Sequence, residues 1–132
     1  MVKNFIDINH FKKKQIDEII LLAKKIKKNP KKFSLICKNK TLGMIFQKQS
    51  LRTRLSFNIG MQKLGGTVIE LNSKDIGFDN IRETPKDIIN VLAQYVDCLM
   101  IRNDNHKQVL DLGSQNVIPV INGLTEYSHP CQ

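Results

Sequence analysis

The sequence predicts a single α/β domain over residues 1–132, with a parallel sheet of about four strands flanked by helices on both faces. Short apolar runs bounded by polar residues alternate along the chain with segments whose apolar residues repeat at helical spacing. Strands and helices that alternate in this way fold as right-handed crossover units, which makes the sheet parallel. A length of 132 residues suits one domain with one core.

The first half of the chain supplies two helices and one strand. Apolar residues share one helical face from about Lys12 to Lys28, and Asn29-Pro30 ends this helix. A polar linker follows, and the continuous apolar run Leu42–Phe46 predicts a buried strand. The next helical pattern follows Ser50 and is closed by Gly65-Gly66.

The second half repeats the alternation. Thr67–Leu71 is the next predicted strand, residues 72–83 form a polar loop, and Thr84-Pro85 begins a helix with a capping hydroxyl. The buried face of that helix is predicted to be Ile88, Leu92 and Tyr95.

Three further elements complete the predicted domain. Asp97–Ile101 is a buried strand, with Arg102 at its carboxyl end. A short helix near His106–Leu112 leads to a last strand at Val117–Ile121 and a final loop.

The net charge of +9 comes from lysines in the first 40 residues, which hold 12 lysines against three acidic residues. These lysine runs carry no interleaved arginine or aromatic residue that could read bases, so a solvated helix face explains them better than nucleic-acid binding. No apolar stretch is long enough to span a membrane and no signal peptide is recognisable, so a cytoplasmic location is expected. Cys37, Cys98 and Cys131 are widely spaced, which favours reduced thiols over disulfides or zinc ligands.

Three groups of polar residues each follow a predicted strand. These groups are Ser50–Arg54, Arg102 and His129–Gln132. Ligands of open parallel sheets bind beyond the carboxyl ends of the strands, so these groups are expected to converge there. A helix that starts at Ser50–Arg54 would offer free N–H groups, two hydroxyls and two guanidiniums to an anion such as phosphate.

Each group also has an alternative explanation. Ser50 could be an ordinary N-cap beside two solvated arginines, and Arg102 could form a salt bridge with Asp97 or Asp104. His129 could be a turn residue, and Gln132 a surface amide. The acidic and basic residues of loop 72–83 are by default solvated: Asp75, Asp79, Arg82 and Glu83.

Other chemistries fit the sequence poorly. It contains no dinucleotide fingerprint, Walker P-loop or nucleophile elbow, and no spacing typical of metal ligands.

Several motifs resemble those of the aspartate/ornithine carbamoyltransferases. Phe46–Phe57 is similar to the F-E-K-x-S-T-R-T-R-x-S-F signature of that family, and Arg102 matches its strand-end arginine. Asn122-Gly123-Leu124 followed by His129-Pro130-Cys131-Gln132 resembles the ornithine branch, because the aspartate enzymes usually read N-A-G-D-G and H-P-T-Q here.

The resemblance implies a carbamoyl phosphate-binding domain that needs no metal or organic cofactor. Phosphate would be held by Ser50, Arg52, Thr53 and the backbone N–H of Leu51, while Arg54 would brace the loop. The catalytic residues implied are Arg102 and His129, which would polarise the carbonyl oxygen with help from Thr53, and Gln132, which would hold the carbamoyl amide.

The sequence departs from this family pattern at two site positions. Gln47 replaces the usual glutamate, with the possible loss of an ion pair that braces the arginines, and Leu51 replaces a threonine. Glu83, Thr84 and Asp87 resemble the end of the family's E-S/T-x-x-D loop, although the loop before them has an atypical length.

The resemblance also implies a second, amino acid-binding domain and a homotrimer with active sites between subunits. The second domain is expected to be absent from this chain, so the isolated 132 residues are expected to be inactive. Transfer of a carbamoyl group to ornithine, giving citrulline and phosphate, is the expected activity of the complete enzyme. The alternatives are a free-standing anion-binding module, a basic RNA-binding protein, or transfer to another amine such as aspartate, acetylornithine or putrescine.

Overall fold

The protein was analysed as a computed structural model, which describes residues 3–74, 76–77 and 83–131. A short 3-10 turn, Ile8–His10, precedes the first helix. The elements that follow are α1 (Lys13–Lys28), α2 (Pro30–Phe33), β1 (Thr41–Phe46), α3 (Leu51–Lys63), β2 (Thr67–Asn72), α4 (Pro85–Leu92), β3 (Cys98–Arg102), α5 (His106–Ser114) and β4 (Val120–Leu124).

The predicted sheet is confirmed. Its four strands pair in parallel in the order β2-β1-β3-β4, so β1 and β3 lie at the centre. The central strands are almost wholly buried, as continuous apolar runs covered on both faces require.

Helices cover both faces of the sheet, as the sequence predicts. Residues of α4 and α5 pack with alternate residues of β1, β3 and β4 on one face, where Ile89, Leu99, Ile101 and Val109 are fully buried. The opposite face, formed largely by Leu42, Met44, Phe46 and Met100, packs against α3. Two apolar layers therefore fix the sheet between the helices and fix the position of α3 relative to the carboxyl ends of the strands.

The prediction for the last strand was wrong in its limits. Asn116 has a left-handed φ of 55° and Pro119 has no N–H, so regular pairing with β3 starts only at Val120, opposite Leu99. The strand then includes Asn122-Gly123-Leu124, which the sequence assigned to the final loop.

Other differences are smaller. The linker after α1 contains the one-turn helix α2, in which Pro30 takes the first helical position. Tyr95 is 76% exposed because α4 ends at Leu92, so its predicted place on the buried face was wrong. The predicted cap of α4 is confirmed: the Thr84 hydroxyl accepts a hydrogen bond from Asp87 N–H at 3.2 Å.

The N-terminal segment contributes an interaction that the sequence did not predict. Phe5 forms a parallel bridge with Ile121, so this segment lies along the outer edge of β4. Phe5 N–H donates to Val120 O at 2.8 Å, and Asn122 N–H donates to Phe5 O at 2.9 Å. The free edge of β4 is therefore partly covered.

By contrast, α1 contributes no buried residue. Its apolar stripe includes Ile19 and Ile20, which are 43% and 46% exposed. Over the ranges that the structure describes, no helix combines the length and the apolar character that a bilayer crossing requires.

Candidate anion-binding site

A cavity of about 720 Å³ lies at the carboxyl edge of the sheet, beside the N-terminus of α3. Six of the seven predicted site residues line it: Ser50, Leu51, Arg52, Thr53, Arg102 and His129. The seventh, Gln132, lies outside the described residues. The structure therefore brings together residues from three separate parts of the chain, as the topology of the sheet predicts.

The N-terminus of α3 faces this cavity, and the side chain at its N-cap position makes no capping hydrogen bond. Ser50 occupies the N-cap position with extended backbone angles, φ −154° and ψ 104°, but its hydroxyl makes no capping hydrogen bond. The alternative that Ser50 is an ordinary N-cap was therefore wrong. The first N–H groups of α3, including that of Leu51, have no intrahelical acceptor, and the helix dipole adds positive potential there.

Two guanidinium groups line the cavity without a described carboxylate partner. Among the described residues, neither Arg52 nor Arg102 takes part in an ion pair. The alternative that Arg102 pairs with Asp97 or Asp104 was wrong, because Asp97 pairs with Lys40 and Asp104 with Lys48. The two arginines are available to the oxygens of an anion.

Arg54 points away from the cavity although it lies only two residues from Arg52. Side chains two residues apart on a helix project in directions about 200° apart. Arg54 Nη2 lies 3.1 Å from Glu70 Oε1, and its guanidinium lies 4.8 Å above the centre of the Phe46 ring. These contacts join α3 to β1 and β2, which is the geometry of a brace.

Gln47 connects the ends of the two central strands. Its backbone N–H donates to Arg102 O at 2.9 Å, and its side-chain Oε1 accepts from Asp104 N–H at 3.0 Å. The sequence raised the possibility that glutamine at this position loses an ion pair. The structure shows that the neutral side-chain amide still holds the backbone just after Asn103, while the bond to Arg102 O comes from the Gln47 backbone.

His129 lies in the loop after β4 and faces the same cavity. Burial lowers the pKa of this imidazole, and the neighbouring positive charge of Arg102 lowers it further. His129 Nδ1 is buried and has no hydrogen-bond partner among the described residues. A neutral imidazole carries one N–H donor, which can serve a carbonyl oxygen in the cavity.

Loop 72–83 is only partly described. Asp75, Asp79 and Arg82 lie outside the described residues, while Glu83 is exposed and does not line the cavity.

Sequence reasoning missed five residues that line the cavity: Gln49, Ser56, Phe57, Leu124 and Cys131. Helical periodicity could have indicated Ser56 and Phe57, which lie three and four residues after Thr53 on the same face of α3. Leu124 was missed because the strand limits were wrong.

The fold and this cavity together define a parallel α/β domain with a candidate anion site at its carboxyl edge. A family profile described as "Aspartate/ornithine carbamoyltransferase, carbamoyl-P binding domain" matches residues 3–132. The chain belongs to the aspartate/ornithine carbamoyltransferase family, and this part of it is the carbamoyl phosphate-binding domain.

Named relatives and solved structures agree with this membership. Ornithine carbamoyltransferase of Listeria monocytogenes is 42% identical over 130 residues, which are 98% of this chain and 41% of that protein. The ornithine carbamoyltransferase structure from Pyrococcus furiosus matches with a TM-score of 0.90 and 40% identity, over 98% of this chain and 42% of the other. The anabolic enzyme of Campylobacter jejuni matches with a TM-score of 0.85 and 35% identity, over 98% and 41%. The chain thus spans about two fifths of the length of these proteins.

Proposed function

We propose that this chain binds carbamoyl phosphate and forms the carbamoyl phosphate-binding half of an ornithine carbamoyltransferase. One observation carries the proposal: two arginines without described carboxylate partners meet the N-terminus of α3 in one cavity. Arg52 is exposed and Arg102 is half-buried, and both guanidiniums keep their charge-assisted donors free for phosphate oxygens. Ornithine is favoured as the acceptor because the relatives named above are ornithine carbamoyltransferases.

The proposed reaction joins the side-chain nitrogen of ornithine to the carbonyl carbon of carbamoyl phosphate. The new C–N bond forms, the C–O bond to phosphate breaks, and the amine loses a proton, giving citrulline and phosphate. Negative charge develops first on the carbonyl oxygen and then on the departing phosphate. Fixed donors at those positions lower the barrier because they need little reorganisation during the reaction.

The roles of the residues follow from these two centres of charge. Ser50, Arg52, Thr53 and the N–H of Leu51 would hold the phosphate at the start of α3. Arg102 and His129 would donate to the carbonyl oxygen with help from Thr53, and Gln132 would hold the carbamoyl amide. No step in this scheme calls for a metal ion or an organic cofactor.

The complete enzyme is proposed to need a second domain that binds the amino acid and closes over this cavity. It is further proposed to be a cytoplasmic homotrimer with active sites between subunits. The 132-residue chain alone is then expected to bind carbamoyl phosphate without forming citrulline, because the proposed second domain holds the amine.

The proposal is tested by titrating the 132-residue chain with freshly prepared carbamoyl phosphate and, in parallel, with inorganic phosphate. Saturable binding of carbamoyl phosphate is expected. Isothermal titration calorimetry and NMR chemical-shift changes of the amides of residues 50–53 measure this binding. Replacement Arg52→Ala should weaken that binding by about 2–3 kcal/mol, the scale of hydrogen bonds to charged groups.

Lys40→Ala is the matched control, because it removes the same charge at the opposite edge of the sheet. Equal losses of carbamoyl phosphate affinity in the two variants would show that only the net charge of the protein matters, and would contradict the proposed site. Equal affinity for carbamoyl phosphate and inorganic phosphate would favour the alternative of a general anion-binding module.

A further inference from the structure

We propose that Asn122 is a positioning residue that holds the loop carrying His129 in the cavity. Asn122 begins the Asn122-Gly123-Leu124 motif, and the proposed reaction assigns no role to that motif. The geometric part of the inference stands by itself, while its consequence for ligand binding rests on the proposed function.

The side-chain amide of Asn122 is fully buried and its donors are fully used. Nδ2 has two hydrogens, which serve Ile6 O at 3.0 Å and, on the side of Ser128, its O at 3.1 Å and its Oγ at 3.2 Å. Ser128 directly precedes His129. One buried amide therefore connects β4 to the backbone next to the imidazole.

The other polar atoms of Asn122 hold both ends of the same loop. Its side-chain Oδ1 accepts from Leu124 N–H at 2.9 Å, at the point where the chain leaves β4. Its backbone oxygen lies 3.7 Å from Cys131 Sγ, two residues beyond His129. The loop is therefore attached to Asn122 before and after the imidazole.

His129 depends on this attachment because its own ring is weakly anchored. Its buried Nδ1 has no hydrogen-bond partner in the described part of the chain. The position of the ring beside Arg102 is consequently set by the backbone of the loop. Thr125 N–H donates to Ser128 O at 2.9 Å and closes the turn, and Glu126 N–H donates to Asp104 O at 3.0 Å, which attaches the start of the loop to the segment after β3. Next to His129, the loop is attached through Asn122 and through the bond from Ser128 Oγ to Ile6 O at 3.3 Å.

Only an amide of this length provides the required combination. Asparagine donates through Nδ2 and accepts through Oδ1, whereas aspartate of the same shape loses both donor hydrogens. A buried carboxylate facing Ile6 O and Ser128 O would also repel them. Asn122→Asp is therefore expected to release the loop with little change in volume.

Asn4→Asp provides a matched control in the same region. Asn4 Nδ2 donates to Gly113 O at 2.8 Å and its Oδ1 accepts from Val120 N–H at 2.9 Å. The same substitution thus removes amide donors that join the N-terminal segment to the fold, without a described contact to residues 125–131.

The experiment compares the wild-type 132-residue chain with these two variants by following the ring of His129 in an NMR pH titration. In Asn122→Asp the pKa of His129 should rise towards its ordinary value, because the ring leaves both its buried position and the charge of Arg102. Asn122→Leu adds no carboxylate charge and should raise the pKa in the same direction, which separates release of the loop from the field of a new negative charge. Affinity for carbamoyl phosphate should fall on the order of tenfold. In Asn4→Asp both quantities should match the wild type, even if the unfolding temperature falls.

A His129 titration that is the same in Asn122→Asp as in the wild type would overturn the inference, whatever the stability of the variant. If Asn122→Asp does not fold, Ser128→Ala provides a second test, because it removes one contact of Asn122 together with the bond from Ser128 Oγ to Ile6 O at 3.3 Å. The pKa of His129 should then move in the same direction by a smaller amount, and an unchanged value would overturn the inference. Absence of carbamoyl phosphate binding in the wild type would reject the proposed function and leave the His129 titration as the test of positioning.

Discussion

The arginines that line the cavity at the carboxyl edge of the sheet differ from the charged pair at its amino edge. At the amino edge, Lys40 Nζ lies 2.7 Å from Asp97 Oδ1, and Thr41 N–H donates to Asp97 Oδ2 at 2.8 Å. At the carboxyl edge, Arg52 and Arg102 line a cavity and have no described carboxylate partner. The charges at the amino edge are satisfied within the protein, whereas the two arginines of the cavity keep their donors free for the proposed anion.

The strongest test of this contrast is Arg102→Ala. Loss of its charged donors should weaken carbamoyl phosphate binding by about 2–3 kcal/mol, while the free energy of unfolding without ligand should stay within about 0.5 kcal/mol of the wild type. Calorimetry and urea unfolding measure the two quantities. A large loss of stability without ligand would show that Arg102 serves the fold instead.

A smaller effect on both properties is expected for Gln47→Ala, because Gln47 braces the backbone around Arg102 and does not line the cavity. Removal of its bond to Asp104 N–H should cost about 1 kcal/mol of stability and about 1 kcal/mol of ligand affinity. Gln62→Ala, at an exposed position near the end of α3, is the control and should change neither. If Gln47→Ala lost stability but kept its affinity for carbamoyl phosphate, the contact from Gln47 to Asp104 would support the fold only and the prediction would be wrong.

The amino edge should show the converse behaviour in acid. The hydrogen bond from Lys40 lowers the pKa of Asp97, and the bond from Thr41 N–H lowers it further. A carboxyl whose folded pKa lies below its unfolded value stabilises the protein above the unfolded pKa and loses that contribution as the pH falls through the folded pKa. Asp97→Asn should therefore flatten the acid limb of the stability curve slightly, since the pair is exposed and screened by salt.

Urea unfolding between pH 2 and 7 at low and high salt measures this effect. Carbamoyl phosphate affinity at neutral pH should be the same in Asp97→Asn and the wild type. An effect on affinity as large as that of Arg102→Ala would contradict the separation of the two edges.

The smallest expected effect concerns two thiols, one at each edge. Burial raises the pKa of Cys98 to about 11, so this thiol should react slowly with iodoacetamide at pH 8. Cys131 is exposed as a residue and lines the cavity, although burial of its sulfur also raises the pKa of that thiol. Carbamoyl phosphate should slow alkylation of Cys131 and leave that of Cys98 unchanged, as peptide mass mapping can measure. Equal protection of both thiols would indicate a global effect of the ligand.

Much of the fold could be predicted because local patterns and the sheet agree. The apolar runs at Leu42–Phe46 and Asp97–Ile101 become the central strands, and the hydroxyl of Thr84 caps α4 as its sequence indicates. The last strand could not be placed, because Val117–Ile121 is equally apolar and only pairing with β3 selects Val120 as its start. The predicted burial of Tyr95 was wrong for a similar reason, since apolar residues at helical spacing do not show where a helix ends.

The features of the candidate site also separate into those that the sequence predicted and those that it did not. The sequence by itself indicated the polar groups that gather at the carboxyl edge of the sheet, because each follows a predicted strand and parallel strands end at the same edge. The family resemblance already implied that Arg54 is a brace, but only the tertiary structure shows that its partners are Phe46 and Glu70. Tertiary structure alone also shows that Gln47 and Asn122 contact the segments carrying Arg102 and His129. These features depend on hydrogen bonds and packing between residues far apart in the chain, and no local pattern specifies such contacts.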